Sequence, residues 1–130
     1  EFAPLLPGAA EGMRVLTQDY RIWLITARHD DTLPQTRRWL EHNGIPHDAL
    51  IFARGKGEFA DVVSCMIEDS PRTALHFAKR DVPVVLMDAP YNRGVFADNE
   101  RHSVDLKLQR NIQRVEFWED VPRLVRDLIP

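Results

Sequence analysis

Hydrophobic and polar residues along this chain form blocks that predict strands separated by helices. Apolar runs rich in Ile, Leu and Val predict buried strands at residues 20–26, 49–53, 62–67 and 82–87, with a last short strand at 115–118. Continuous apolar runs of this kind are typical of strands that are covered on both faces.

Helix signals fill the intervals between these strands. A first helix is predicted just after Pro7, where apolar residues recur at helical spacing. A second helix begins near Leu33, with Asp30 or Asp31 as its cap, and ends at Gly44. Two more helices are predicted at residues 70–79 and 119–128.

The alternation of strands and helices predicts an α/β fold, with a parallel sheet and helices on both faces. The 130 residues fit one domain, so we expect a single core over residues 1–130 with a polar insertion at about 96–110. In such folds ligands bind beyond the carboxyl ends of the strands.

Composition and charge limit the partners and the cellular compartment that the sequence predicts. The net charge of −3 gives no electrostatic reason to expect a nucleic acid or an anionic membrane as partner. The sequence shows no signal peptide and no apolar stretch of membrane-spanning length. The one cysteine, Cys65, excludes an internal disulfide and favours the reducing cytoplasm, and its apolar neighbours predict a buried thiol.

Polar groups suited to phosphate or a divalent cation follow three of the predicted strands. Thr26 offers a hydroxyl, Lys56 a positive charge, and Glu68 and Asp69 hard oxygen ligands. Each has a plainer interpretation: Thr26 as a turn residue, Lys56 as a solvated surface residue. Two adjacent acids at the end of an apolar strand are more informative, because their repulsion needs a cation or base to offset it. Together they predict a magnesium-dependent phosphoryl-transfer site.

Five short motifs carry a resemblance to a known family. They are Leu6-Pro7-Gly8-Ala9, Ile25-Thr26-Ala27-Arg28, Lys56, Ile67-Glu68-Asp69-Ser70-Pro71 and the run from Asp88 to Gly94. In this order and spacing the chain resembles the haloacid dehalogenase (HAD) superfamily of phosphatases, in particular its 5′(3′)-deoxyribonucleotidase-like branch. The resemblance implies a Rossmann-like core and a small phosphorylated substrate such as a nucleotide.

The resemblance also implies a mechanism and residue roles. An aspartate attacks phosphorus, and water hydrolyses the aspartyl-phosphate. Thr26, with Ala27, would bind the phosphoryl oxygens, and Lys56 would pair with the phosphate. Asp69 would ligate Mg²⁺, with Glu68 supporting Lys56 or the metal's water shell. Arg28 would contact substrate, although a surface role is the favoured interpretation of that residue.

The chain departs from the family at its first motif, because an apolar strand followed by Asp-x-Asp is absent. In the family this strand lies between those that end here at Thr26 and Asp69, and a small cap follows it. We therefore expect an upstream segment, a partner chain or a swapped copy in a homodimer to fill the sheet, unless the two flanking strands pair directly.

Three functions remain open. The first is the core of a nucleotidase-like phosphatase, inactive alone because the nucleophile is missing. The second is a degenerate relative that binds a partner without catalysis, with the stretch 96–110 as a contact surface or a solvated loop. The third is a receiver-type signalling domain, which the residue order disfavours because receivers place their acidic pair first.

Overall fold

The computed structural model describes residues 5–94 and 110–130 of the chain. Within these ranges it has five strands: β1 (Trp23–Thr26), β2 (Ala49–Phe52), β3 (Met66–Glu68), β4 (Val84–Met87) and β5 (Ile112–Val115). The described α-helices are α1 (Ala9–Leu16), α2 (Leu33–Asn43), α3 (Pro71–Lys79) and α4 (Val121–Leu128). Short 3₁₀ turns lie at Asp30–Thr32, Lys56–Phe59, Pro90–Asn92 and Trp118–Asp120.

The described strands form two parallel sheets. One pairs β1 with β2, from Trp23 beside Ala49 to Thr26 beside Phe52. The other has the order β3-β4-β5. The predicted α/β fold with parallel strands is therefore confirmed, and it is consistent with a Rossmann-like core. Since β1 and β3 belong to different sheets, direct pairing of those two strands, the alternative to a segment or chain that fills the sheet, does not occur in the described part.

The chain divides into two compact units. The first comprises the described residues up to Lys56 together with Phe117–Pro122. The second comprises the described residues from Gly57 to Glu116 together with Arg123–Pro130. The organisation of the chain as one domain stays a prediction.

In the first unit, α1 packs on the turn that carries Trp118. A Cβ added to Gly12 would lie 3.1 Å from Cε3 of Trp118, so a small residue at this position allows the close approach. The predicted apolar stripe of α1 is confirmed: the buried residues of the helix are Ala9, Gly12, Met13 and Leu16.

The ends of α2 show one correct prediction and one wrong one. Gly44 ends the helix with φ of 61°, a left-handed conformation that suits glycine. The start differs, because Asp30 and Asp31 lie in a 3₁₀ turn and Thr32 occupies the cap position. Because this extra turn comes before the helix, the aspartates lie one and two residues ahead of the cap position.

The second unit holds a core built on β4 and α3. All four residues of β4 are buried, and Phe77 of α3 is fully buried. The α3 helix begins as predicted, with Pro71 in its first turn and the Ser70 hydroxyl accepting the Thr73 N–H at 3.3 Å. Besides Phe77, the members of this core are Ala60, Met66, Ala74, Ala78, Val82, Val84, Leu86 and Ile112.

Two strand predictions were displaced along the chain. The run 62–67 was expected to be extended, but the N–H groups of Val62 and Val63 donate to the carbonyl of Phe59, which makes this stretch a turn. Val62 is consequently exposed, and β3 begins only at Met66. The last strand ends at Val115 instead of beginning there, because a 3₁₀ turn starts at Trp118.

Two further expectations concern the rest of the chain. The predicted polar insertion at 96–110 lies outside the described residues, apart from Arg110. In the described ranges we find no helix with the length and hydrophobicity that a membrane span requires.

Cys65 is a free, partly buried thiol, and we expect it to react slowly. Burial raises its pKa from 9.0 to about 11, although a backbone hydrogen bond from Met66 acts in the opposite direction. A shift of this size lowers the thiolate fraction at neutral pH, and with it the alkylation rate, by roughly a hundredfold. Iodoacetamide labelling followed by mass spectrometry checks this, with the urea-unfolded protein as reference. Equal rates in the folded and unfolded protein would contradict the prediction.

Candidate functional site

Thr26 is the last residue of β1, where its backbone and side chain have separate partners. Its carbonyl accepts the N–H of Ala53 at 2.9 Å, which fixes the end of the strand against the residue after β2. Its hydroxyl oxygen accepts the N–H of Arg28 at 3.2 Å, which shapes the turn. A hydroxyl that accepts one bond still has its own proton to donate. Thr26 therefore keeps a donor at the carboxyl end of a parallel strand.

A shallow pocket of about 200 Å³ lies at the carboxyl ends of β1 and β2. Its lining consists of Arg28, His29, Asp30, Phe52, Ala53 and Arg54. Two arginines and one phenylalanine in the lining suit a planar or anionic ligand, while Asp30 in the same lining opposes an anion. Sequence reasoning missed Arg54, although the signal was present: Arg54 follows the end of β2 by two residues, as Arg28 follows the end of β1.

Lys56 is half-buried and begins the 3₁₀ turn Lys56–Phe59. The next residue, Gly57, lies against the imidazole of His76, and a Cβ at this position would collide with that ring. A glycine at this position therefore allows a close approach between the turn and α3.

Glu68 and Asp69 lie where β3 ends, and their carboxylates have different surroundings. Glu68 is buried, with 6% of its surface exposed, and its Oε1 accepts the N–H groups of Asp69 at 3.1 Å and Ser70 at 3.2 Å. These bonds compensate its burial and close the turn before α3. The Asp69 carboxylate accepts the hydroxyl of Tyr91. The Asp69 side chain thus connects the turn after β3 to the turn after β4.

Tyr91 is a donor that stays protonated at neutral pH. Its hydrogen bond to Asp69, together with desolvation and the negative charges of Asp69 and Glu68, raises the pKa of Tyr91 to about 12. The phenol therefore donates to the carboxylate at any pH at which the protein is expected to work.

Asn92 is the fully buried polar residue that connects this region. Its Nδ2 donates to the carbonyls of Asp69 and Met87, each at 2.8 Å. Its Oδ1 accepts from the N–H of Ala89 at 3.0 Å and from Nη1 of Arg114 at 2.7 Å. The sequence drew attention to the run 88–94 only by resemblance and attached no role to Asn92.

The donor set at Asp69 can be compared with the needs of Mg²⁺. The described residues contain no group of three or more His, Cys, Asp or Glu side chains that would enclose a metal. Mg²⁺, however, usually takes one or two carboxylates and completes its shell with water and substrate phosphate. A carboxylate oriented by a neutral hydroxyl fits that partial role.

The predicted site residues thus lie in two groups. Thr26, Ala27 and Arg28 belong to the first unit, as does Lys56, while Glu68 and Asp69 belong to the second. The turn after β1 and the residues after β2 meet in the first unit, and Asp69 meets Tyr91 and Asn92 in the second.

Comparison with known proteins identifies the class. Residues 2–128 of the chain match the model of the family 5′ nucleotidase, deoxy (pyrimidine), cytosolic type C. The chain therefore belongs to this family, and the resemblance to HAD-type deoxyribonucleotidases is confirmed.

Individual relatives are similar over most of the chain. It is 31% identical to a nucleotidase of Clostridium acetobutylicum over 85% of its length, and 32% identical to a candidate 5′(3′)-deoxyribonucleotidase of Chlorobaculum tepidum over 95%. A candidate nucleotidase of Bacillus subtilis is 26% identical over 89% of the chain. The chain spans only 53% to 56% of the length of these relatives. No solved structure matches it significantly.

Proposed function

We propose that this chain supplies the phosphate-binding and metal-binding residues of a Mg²⁺-dependent nucleotidase that hydrolyses a small phosphomonoester. The observation that carries the proposal is the family match over residues 2–128, which includes Asp69 at the end of β3 with its carboxylate held by Tyr91. The names of the relatives support a nucleotide as the substrate.

The phosphate is bound by residues at the end of β1 and by Lys56. Thr26 donates its hydroxyl proton to a phosphoryl oxygen, and the Ala27 N–H adds a second donor. Lys56 contributes a fixed positive charge. Arg28, with Arg54 beside it in the pocket, contacts the rest of the substrate.

Asp69 holds the metal, and Glu68 supports it by fixing the turn that carries Asp69. When bound, Mg²⁺ would offset the charge of the phosphoryl group and polarise its oxygens. Since Glu68 already accepts two backbone N–H groups through Oε1, we propose that its contribution to the metal is indirect.

The nucleophile comes from outside these 130 residues, whose sequence contains no Asp-x-Asp. The greater length of the relatives supports a source in another segment of the intact protein, with a partner chain or second copy as the alternative. The 130 residues alone are therefore inactive in this proposal.

We also propose the cytoplasm as the location of the protein, because Cys65 is a free thiol, as expected in a reducing compartment.

The second candidate function is a binding module without catalysis, and the missing Asp-x-Asp favours it. Phosphate release separates the two. The intact protein is incubated with a panel of nucleoside monophosphates and other phosphomonoesters, with Mg²⁺ or with excess EDTA. We expect phosphate release in the presence of Mg²⁺ and none in excess EDTA. If the protein released no phosphate from any of them, the phosphatase would be contradicted, and the binding module would then require a tightly bound partner in a pull-down with the intact protein.

A Thr26→Val variant tests the phosphate-binding role. We expect kcat/KM to fall by about ten- to a hundredfold, because a neutral donor to a charged oxygen is lost while the shape of the side chain is kept. Thr36→Val is the matched control, since the buried Thr36 hydroxyl has no hydrogen-bond partner among the described residues. Equal activities of the two variants would exclude Thr26 from the site.

A further inference from the structure

We propose that Tyr91 and Asn92, neighbours in the turn after β4, act together as positioning residues that hold Asp69 for its metal. Both bonds run from this one turn to the single residue Asp69: the Tyr91 hydroxyl donates to its carboxylate, and the Asn92 amide donates to its carbonyl. The turn therefore restrains the side chain and the backbone of Asp69 at once.

Asn92 restrains the backbone of Asp69. All of its amide's hydrogen-bonding capacity is used, since two N–H groups donate to carbonyls and Oδ1 accepts twice. Its two acceptors are the carbonyls of Asp69, just after β3, and of Met87, the last residue of β4. Because the side chain is fully buried, it ties the ends of two adjacent strands together where water cannot compete.

Asn92 is in turn held from β5. Arg114 donates to Oδ1 of Asn92 at 2.7 Å and to its backbone carbonyl at 2.9 Å. The same guanidinium donates to Asp88 at 2.9 Å, and Asp88 also pairs with Arg93 at 3.0 Å. The ends of all three strands of this sheet thus contribute to one network with Asn92 at its centre.

Tyr91 restrains the carboxylate of Asp69. Tyr91 is 65% exposed, so the residue contributes little to the core, while its hydroxyl donates to Oδ2 of Asp69. A hydroxyl bonded to a carboxylate restrains its orientation, and such outer contacts to a metal ligand commonly change metal affinity by ten- to a hundredfold.

This inference rests on the proposed role of Asp69 as a metal ligand, and the test separates the two. Mn²⁺ is titrated into the metal-free intact protein, wild type and Tyr91→Phe, and free Mn²⁺ is followed by electron paramagnetic resonance. We expect Tyr91→Phe to weaken Mn²⁺ binding about tenfold, and to raise by a similar factor the Mg²⁺ concentration that half-saturates phosphate release. The melting temperature in EDTA should not change.

Tyr20→Phe is the control for the chemical change, and it should bind Mn²⁺ like the wild type. Asn92→Ala, measured at a temperature at which circular dichroism shows it folded, should weaken Mn²⁺ binding at least as much as Tyr91→Phe.

Two results would overturn the inference. If wild type binds Mn²⁺ and Tyr91→Phe binds it equally or more tightly, the tyrosine does not position Asp69, although the metal site stands. If wild type binds no Mn²⁺ and releases no phosphate, the proposed function fails and the positioning role fails with it.

Discussion

Replacing Asp69 by Asn in the intact protein is expected to lower Mg²⁺-dependent phosphate release by about a thousandfold or more. The change keeps the size of the side chain and removes its charge, and Mg²⁺ binds a neutral amide oxygen far less well than a carboxylate. A loss of about 4 kcal/mol of transition-state stabilisation corresponds to this factor, and a metal contributes several kcal/mol to such reactions.

The fold should survive this substitution, because the contacts of Asp69 do not depend on its charge alone. Asn keeps an oxygen that accepts the Tyr91 hydroxyl, and the bond from Asn92 goes to the backbone carbonyl. A steady melting temperature in EDTA would show this, so that the lost activity can be assigned to the metal.

Asp61→Asn is the matched control for Asp69→Asn. Asp61 pairs with Arg80 at 3.3 Å on the surface of the same unit, and exposed pairs of this kind contribute little to stability. We expect its phosphate release to stay within about twofold of wild type. If Asp69→Asn were also within tenfold of wild type, Asp69 would not be the metal ligand.

The parts of the fold that could be predicted from sequence are those fixed by local chemistry. Pro71 after Ser70 starts α3, and Gly44 ends α2 through a backbone conformation that few other residues accept. The strand predicted at 62–67 was wrong because apolar content alone does not separate a strand from a turn. Here the carbonyl of Phe59 takes the N–H groups that a strand would use.

The same distinction holds for the candidate site. Thr26 and Asp69 could be located from the sequence, because each directly follows or ends an apolar strand, and polar residues there face the ligand edge of an α/β fold. The role of Asn92 could not, because its partners Asp69 and Arg114 lie 23 and 22 residues away along the chain. Only the pairing of β3, β4 and β5 brings them to one place.

Phe77→Ala is expected to lower the free energy of unfolding by about 3–5 kcal/mol, the largest effect on stability that we predict. Phe77 lies on α3 with no exposed surface, within the core that includes Val84 and Leu86 of β4. Removing the ring forfeits its transfer free energy and leaves a cavity that β-branched neighbours on a strand cannot readily fill. Urea unfolding followed by circular dichroism measures the change.

Phe117→Ala makes the same chemical change at a position where the ring buries little surface. The Phe117 side chain is 59% exposed, so we expect its substitution to cost about 1 kcal/mol or less. The difference between the two variants isolates burial, because the deleted atoms are identical. Phe117→Ala could instead destabilise the intact protein as much as Phe77→Ala. The Phe117 ring would then be covered by a segment or chain outside the described residues, and the greater length of the relatives is a reason to look for such a segment. If instead Phe77→Ala cost less than about 1 kcal/mol, the core assigned to α3 and β4 would be wrong.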